Sequence, residues 1–161
     1  MAARRTLVIL RHAKSDWPEG VPDDQRPLAG RGRKDAVAVG RWLRDHLGRI
    51  DLAVCSPAVR ARQTWELAAA ELRPKPRLTE DERVYAASGD ALRSVVEDLP
   101  AEARTVVLVG HNPGLQDLVE LLSGELAELK TAAIAVLTWP GTWLDARPGV
   151  ADLDARAKPR H

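Results

Sequence analysis

Apolar residues in this chain follow two patterns that alternate from end to end. Residues 6–10 hold Leu7, Val8, Ile9 and Leu10 in one unbroken run closed by charge, which predicts a short strand buried on both faces. Residues 52–55, 105–109 and 132–139 read the same way, and a shorter strand is expected at 77–79. Between these runs the apolar positions recur every three or four residues. Ala36, Val39, Leu43 and Leu47 predict a helix over 30–47, with Gly48 placed to end it. A second helix follows Ser56-Pro57 through Ala58, Ala61, Trp65, Ala68 and Leu72. A third spans 89–99 through Leu92, Val95, Val96 and Leu99, closed by Pro100. A fourth follows Asn112-Pro113 through Leu115, Leu118, Val119 and Leu122. Ser56 and Asn112 read as N-caps, with Pro57 and Pro113 as first helical residues whose missing N–H is not needed there. Residues 143–153 suggest an edge hairpin turned at Pro148-Gly149, and 155–161, which lack periodicity, read as a frayed tail.

Strands alternating with helices predict an α/β fold, a three-layer α/β/α sandwich with a mainly parallel central sheet. The expected unit is one domain over 1–161 with an ordered core of about 5–153, since no repeat or linker interrupts the alternation. Residues 13–29 are polar and carry Pro18, Pro22 and Pro27, so they predict an ordered loop bearing Asp16, Trp17, Asp24 and Arg26.

Charge alters the picture little at first, because 24 basic residues face 23 acidic ones. A net charge of +1 offers no global field for nucleic acid or membrane, so neither is an expected partner, and any anion site must be local. The lone Cys55 cannot form an intramolecular disulfide, and the apolar run after Arg4 and Arg5 is too short for a signal peptide. The expected location is the cytoplasm.

Ligands of open parallel sheets bind beyond the carboxyl ends of the strands. Three of those ends carry a pattern: Arg11-His12, then Ser56-Pro57 with Arg60 in the first helical turn, then Gly110-His111-Asn112. Each member has an ordinary reading alone, since a histidine after a strand is usually a hydrogen-bonded loop residue and a helical arginine usually faces solvent. Jointly they bring two histidines and two arginines to one edge, beside helix N-termini that favour an anion. The implied ligand is a phosphate.

Arg11-His12-Ala13, the stretch from Ser56 to Thr64, and Gly110-His111-Asn112-Pro113 together resemble the histidine phosphatase superfamily, with its phosphoglycerate-mutase-like fold. Residues 11–15, Arg26-Pro27-Leu28 and the short length are most similar to its small bacterial phosphohistidine phosphatase branch. The resemblance spans about 6–153. It implies that His12 is the nucleophile of a covalent phosphohistidine intermediate and that Arg11, Arg60 and His111 hold the equatorial phosphoryl oxygens. One ring nitrogen of His12 must then be unprotonated while the other donates to a backbone carbonyl. A leaving-group acid is expected among Glu80, Asp81 and Glu82, with Glu82 favoured by the Arg83-Val84-Tyr85 that follows it. Ser15 and Asn112 are candidate phosphate or substrate contacts, although Ser15 could instead cap the loop. Trp17 is expected to anchor the loop rather than form a substrate lip. Arg26 is left between bracing the loop through Asp24 and facing the substrate.

The reaction implied is metal-independent hydrolysis, without a cofactor, of a phosphorylated substrate such as a phosphohistidine-bearing protein. A small-molecule phosphomonoesterase and a non-catalytic phosphate-binding module are the alternatives. Metal-assisted hydrolysis is disfavoured because His46 and His161 lie far from the motif. The residue after His12 is Ala13, where many superfamily members have glycine, so an ordinary backbone conformation is required there. The short chain favours a phosphatase with an open pocket over a mutase that must enclose its substrate.

Overall fold

The structure is a computed structural model that describes residues 3–160; Met1, Ala2 and His161, the last of the expected tail and one of the two outlying histidines, lie outside the described residues. Six strands, β1 (Arg4–Arg11), β2 (Leu52–Cys55), β3 (Arg77–Glu80), β4 (Thr105–Gly110), β5 (Ile134–Pro140) and β6 (Asp152–Ala157), form one sheet in the order β3-β2-β4-β1-β5-β6. The pairs β3/β2, β2/β4 and β4/β1 are parallel, while β5 runs antiparallel to both β1 and β6. Four helices cover the sheet: α1 (Gly30–His46), α2 (Val59–Ala69), α3 (Gly89–Glu97) and α4 (Gly114–Ser123). The expected three-layer α/β/α arrangement is what these elements build.

Alternation along the strands divides the core in two. Val8, Leu10, Val107 and Val109 face Val39, Leu43 and Trp65 of α1 and α2. Leu7, Ile9, Val106 and Leu108 face Val95, Val96, Leu115 and Leu118 of α3 and α4. The central strands are buried on both faces, which explains their unbroken apolar runs. Gly40 permits close contact between α1 and α2, because a Cβ there would strike the Ala68 carbonyl. Gly32 does the same for the loop after β1, because its Cβ would strike the Lys14 carbonyl.

Several local expectations are corrected. The helix α2 starts at Val59, not Pro57, since Ala58 is still extended (φ −59°, ψ 139°) and Ser56 Oγ closes a turn by accepting from the Ala58 N–H at 3.2 Å. Asn112 does not cap α4; Pro113 occupies that position, and the Asn112 amide donates elsewhere. Residues 143–153 are not a hairpin. Trp143–Asp145 is a 3₁₀ turn, the Gly149 and Ala151 N–H groups bond to the Leu121 and Leu122 carbonyls of α4, and the strand begins only at Asp152. The expected fraying at 155 does not occur there, because β6 pairs with β5 as far as Ala157 opposite Ile134. Among the described residues no helix is long and apolar enough to cross a membrane.

Candidate active site

Parallel register brings the strand ends together, with Arg11 opposite Gly110 and Cys55 opposite Val109. His12 follows β1 directly and is fixed by its backbone: its N–H donates to the Gly110 carbonyl at 3.1 Å, and its carbonyl accepts from the Ala132 N–H at 3.0 Å. Its side chain is buried, with Nδ1 2.8 Å from the Ala13 carbonyl. A carbonyl only accepts, so Nδ1 carries the proton and Nε2 keeps a lone pair. Burial pulls the His12 pKa down to about 3; the Ala13 carbonyl opposes this, while His111, Arg60 and Arg11 reinforce it. The next residue ties this loop to α2, since the Ala13 N–H donates to Thr64 Oγ1, which itself donates to the Arg60 carbonyl.

Arg60 is buried in the first turn of α2 and gives two N–H groups to one residue, Nη1 to the Asp23 carbonyl at 2.7 Å and Nη2 to Asp23 Oδ2 at 3.0 Å. Asp23 also accepts from Arg26 Nε at 3.1 Å and from the Tyr85 hydroxyl. The Tyr85 hydrogen bond, with the Arg60 bond and charge behind it, outweighs partial burial and holds the Asp23 carboxyl down at about 2. Neither Asp23 nor Tyr85 was expected from the sequence. Arg26 braces the loop through Asp23 rather than Asp24, and its Nη1 donates to Ser15 Oγ at 2.8 Å and to the Asp16 carbonyl at 3.1 Å. Trp17 corrects the anchoring expectation: it is 75% exposed and forms a lip, with the Arg26 guanidinium 3.5 Å above its ring.

On the other side, Arg11 Nη1 and Asn112 Nδ2 both donate to the Leu129 carbonyl, at 3.1 and 2.7 Å. Gln116 Oε1 accepts from Asn112 and from the Leu129 N–H, which locks this loop to α4. The His111 ring lies 5.2 Å from the His12 ring and 5.5 Å from Tyr85. His111 Nε2 sits 2.7 Å from Ser56 Oγ. The buried Ser56 hydroxyl has, among the described residues, no acceptor for its own proton other than His111 Nε2; donated there, it leaves Nδ1–H as a buried donor with no partner. Burial first, then Arg60, pull the His111 pKa down to about 4, partly offset by Asp23.

A cavity of about 290 Å³ joins these groups, lined by Arg11, His12, Lys14, Ser15, Trp17, Arg26, Arg60, His111, Asn112 and Thr131. Four lining residues are cationic and none is a carboxylate, so the pocket is built for an anion. Six of the seven expected site residues therefore meet. The seventh, Glu82, is exposed in a 3₁₀ turn outside the lining, three residues before Tyr85. Its neighbours are tied up: Glu80 lies 3.7 Å from Arg62, and Asp81 holds Arg83. A larger cavity of about 500 Å³ lies beside Leu52, Arg77 and Ala103, toward the opposite sheet edge, where Asp81 and Asp98 hold Arg83 and leave no comparable anion field. Among the described residues no group of three or more His, Cys, Asp or Glu could hold a metal.

Residues 7–85, which contain His12 and Arg60, match the family model of the histidine phosphatase superfamily, branch 1. An uncharacterized protein of Mycobacterium tuberculosis is 36% identical over 162 residues, covering 94% of this chain and all of the relative. A structure from Nakamurella multipartitia, provisionally described as the phosphohistidine phosphatase SixA, is 32% identical with a TM-score of 0.87, covering 98% of each chain. The chain belongs to the histidine phosphatase superfamily. Its fold is phosphoglycerate-mutase-like: a phosphoglycerate mutase of Bacillus anthracis superimposes with a TM-score of 0.73 at 14% identity, over 96% of this chain and 93% of the mutase. Within this superfamily frame, Asp23 and Tyr85 form a network around Arg60 that no short motif reveals, because they lie 37 and 25 positions from it in sequence.

Proposed function

We propose that this chain is a phosphatase that works through a phosphohistidine on His12 and acts on phosphohistidine in proteins. The observation that carries the reading is the neutral His12 ring, its Nδ1–H held by the Ala13 carbonyl and its Nε2 lone pair free in a pocket with four cations. Nε2 attacks phosphorus in line as the bond to the leaving group breaks, and the phosphoryl group passes to His12. Water then attacks phosphorus, the N–P bond returns its electron pair to Nε2, and the two water protons leave with the phosphate. Arg11 spends one of its five N–H groups on Leu129 and Arg60 two on Asp23, so both retain donors for the equatorial oxygens. His111 adds its unpartnered Nδ1–H as a neutral donor, and the arriving dianion raises its proton affinity. Ser15 and Asn112 border the same space: Ser15 Oγ accepts from Arg26 and keeps its hydroxyl proton for a phosphate oxygen, whereas both amide N–H groups of Asn112 are spent on Gln116 and Leu129, so Asn112 shapes the pocket more than it binds phosphate.

Phosphohistidine as substrate is supported by the SixA-like structure and by the absence of a carboxylate from the pocket lining. An imidazole leaves readily once protonated, whereas an alkoxide needs a strong acid beside it. Of the three acidic residues expected for the role, Glu80 and Asp81 are paired with arginines, so Glu82, outside the pocket lining, is the one we assign to protonate poorer leaving groups. Turnover of a phosphohistidine protein, an aryl phosphate and sugar phosphates by one preparation tests the assignment. A higher kcat/KM on the phosphohistidine protein is expected, whereas a preference for sugar phosphates would make the chain a small-molecule phosphomonoesterase.

A further inference from the structure

Beside the catalytic pocket lies a second recess of about 320 Å³, lined in part by Glu128, Lys130, Arg156 and Lys158. The segment from Leu129 to Thr131 divides the two, with Thr131 lining the catalytic pocket and Leu129 and Lys130 the recess. The recess is close to the chemistry, because the Ala132 N–H bonds to the carbonyls of both Arg11 and His12 and Lys130 stands two residues before it. Consecutive Cα atoms are 3.8 Å apart, so the Lys130 and Ala132 backbones are separated by no more than about 7.6 Å.

Charge is distributed across this edge in a way that composition does not predict. The two cavities together are lined by seven cations, Arg11, Lys14, Arg26, Arg60, Lys130, Arg156 and Lys158, against one carboxylate, Glu128. The whole chain has 24 against 23. Two of the three cations of the recess are held by backbone: Lys158 Nζ donates to the Thr131 carbonyl at 2.6 Å and Arg156 Nη2 to the Glu128 carbonyl at 3.1 Å. Among the described residues none of Lys130, Arg156 and Lys158 forms an ion pair, and the field at Lys158 combines Asp35 with Arg31, Arg160 and Lys130. Carbonyl anchors fix position without cancelling charge, which suits a surface that receives an anion.

We propose that this recess is a second anion subsite, which takes a further phosphate or carboxylate of the substrate while its phosphoryl group faces His12. The inference rests on the reading of the catalytic pocket given above and narrows its substrate to molecules with two anionic groups. Such a group is supplied either by an acidic residue flanking phosphohistidine in a protein or by a second phosphate on a small molecule.

The test replaces the two exposed cations together, Lys130→Gln with Arg156→Gln, and leaves Lys158 to support Thr131. Calorimetry with inorganic phosphate and with propane-1,3-diol bisphosphate reads the subsite without turnover. The variant is expected to bind the bisphosphate about fivefold more weakly at low salt, less so at high salt, with inorganic phosphate unchanged. A phosphohistidine peptide with glutamate neighbours, compared with the same peptide carrying glutamine, should show a matching rise in KM with kcat unchanged. Dependence in the peptide arm alone assigns the subsite to a protein partner, and dependence in the bisphosphate arm alone to a small molecule. Equal behaviour of variant and parent in both arms overturns the subsite. Failure of the parent to hydrolyse p-nitrophenyl phosphate strikes the catalytic reading instead, and the calorimetry still decides the subsite.

Discussion

Asp23→Asn isolates the least expected part of the site. The carboxylate accepts side-chain bonds from Arg60, Arg26 and Tyr85, and the substitution preserves its shape while removing its charge. One amide oxygen can still accept from Arg60 or Arg26, but the amide nitrogen cannot accept from the other guanidinium. A hydrogen bond between charged groups contributes about 1.5–3 kcal/mol when buried. Asp23 is 50% exposed against 7% for Arg60, so solvent screening reduces this to about 1–1.5 kcal/mol. Spent on misplacing Arg60, that loss lowers kcat about tenfold. KM should hold or fall, because an Arg60 freed of its carboxylate attracts the phosphate dianion more strongly. Steady-state kinetics on an aryl phosphate, with Asp23→Ala in parallel, separate the two effects, and thermal melts should drop by about 2–6 °C. An unchanged kcat, or a rise in KM with kcat intact, would refute the view that Asp23 positions Arg60 for the transition state.

Acid should destabilise the chain well above the carboxylate range. His12 and His111 are lowered from 6.5 to about 3 and about 4, so below pH 6.5 the unfolded chain takes up protons that the folded one refuses. Their contribution is complete above 6.5 and is lost toward pH 4 at up to about 3 kcal/mol per pH unit, with Asp23 adding to the loss only below 3.8. Urea midpoints at pH 7.5 and 4.5 read this directly, and a His12→Asn/His111→Asn double variant with the same pH slope as the parent would contradict it. Glu82→Gln should lower kcat at least tenfold on an alkyl phosphate yet less than twofold on phosphohistidine or p-nitrophenyl phosphate, following leaving-group basicity. Equal losses on all three would remove Glu82 from the role of leaving-group acid.

The strand ends were legible because β1, β2 and β4 are buried on both faces and so read as unbroken apolar runs that place Arg11-His12, Ser56 and Gly110-His111 without ambiguity. The Asp23–Tyr85–Arg60 network was not legible, because its bonds span 62 and 37 residues and depend on where a proline-rich loop folds back. Ser56 shows how a local rule gives way to tertiary structure. Its hydroxyl has the chemistry of an N-cap, but His111 and the Ala58 N–H occupy it and the helix starts later. In β6 a signal was present but weak: Leu153, Ala155 and Ala157 alternate with Asp152, Asp154 and Arg156, the period of a half-exposed edge strand with little apolar content. Arg156, in that strand, and Lys158, just after it, were missed with it.

In the proposed reaction the phosphoryl group passes through Nε2 of His12. Rapid-quench labelling with a ³²P-labelled phosphohistidine or aryl phosphate substrate, followed by peptide mapping, tests it most directly. The expected result is an acid-labile, base-stable phosphate on the peptide bearing His12, formed at a rate that supports turnover and absent from His12→Asn. Full turnover by His12→Asn, or a label stable to acid on another residue, would contradict it.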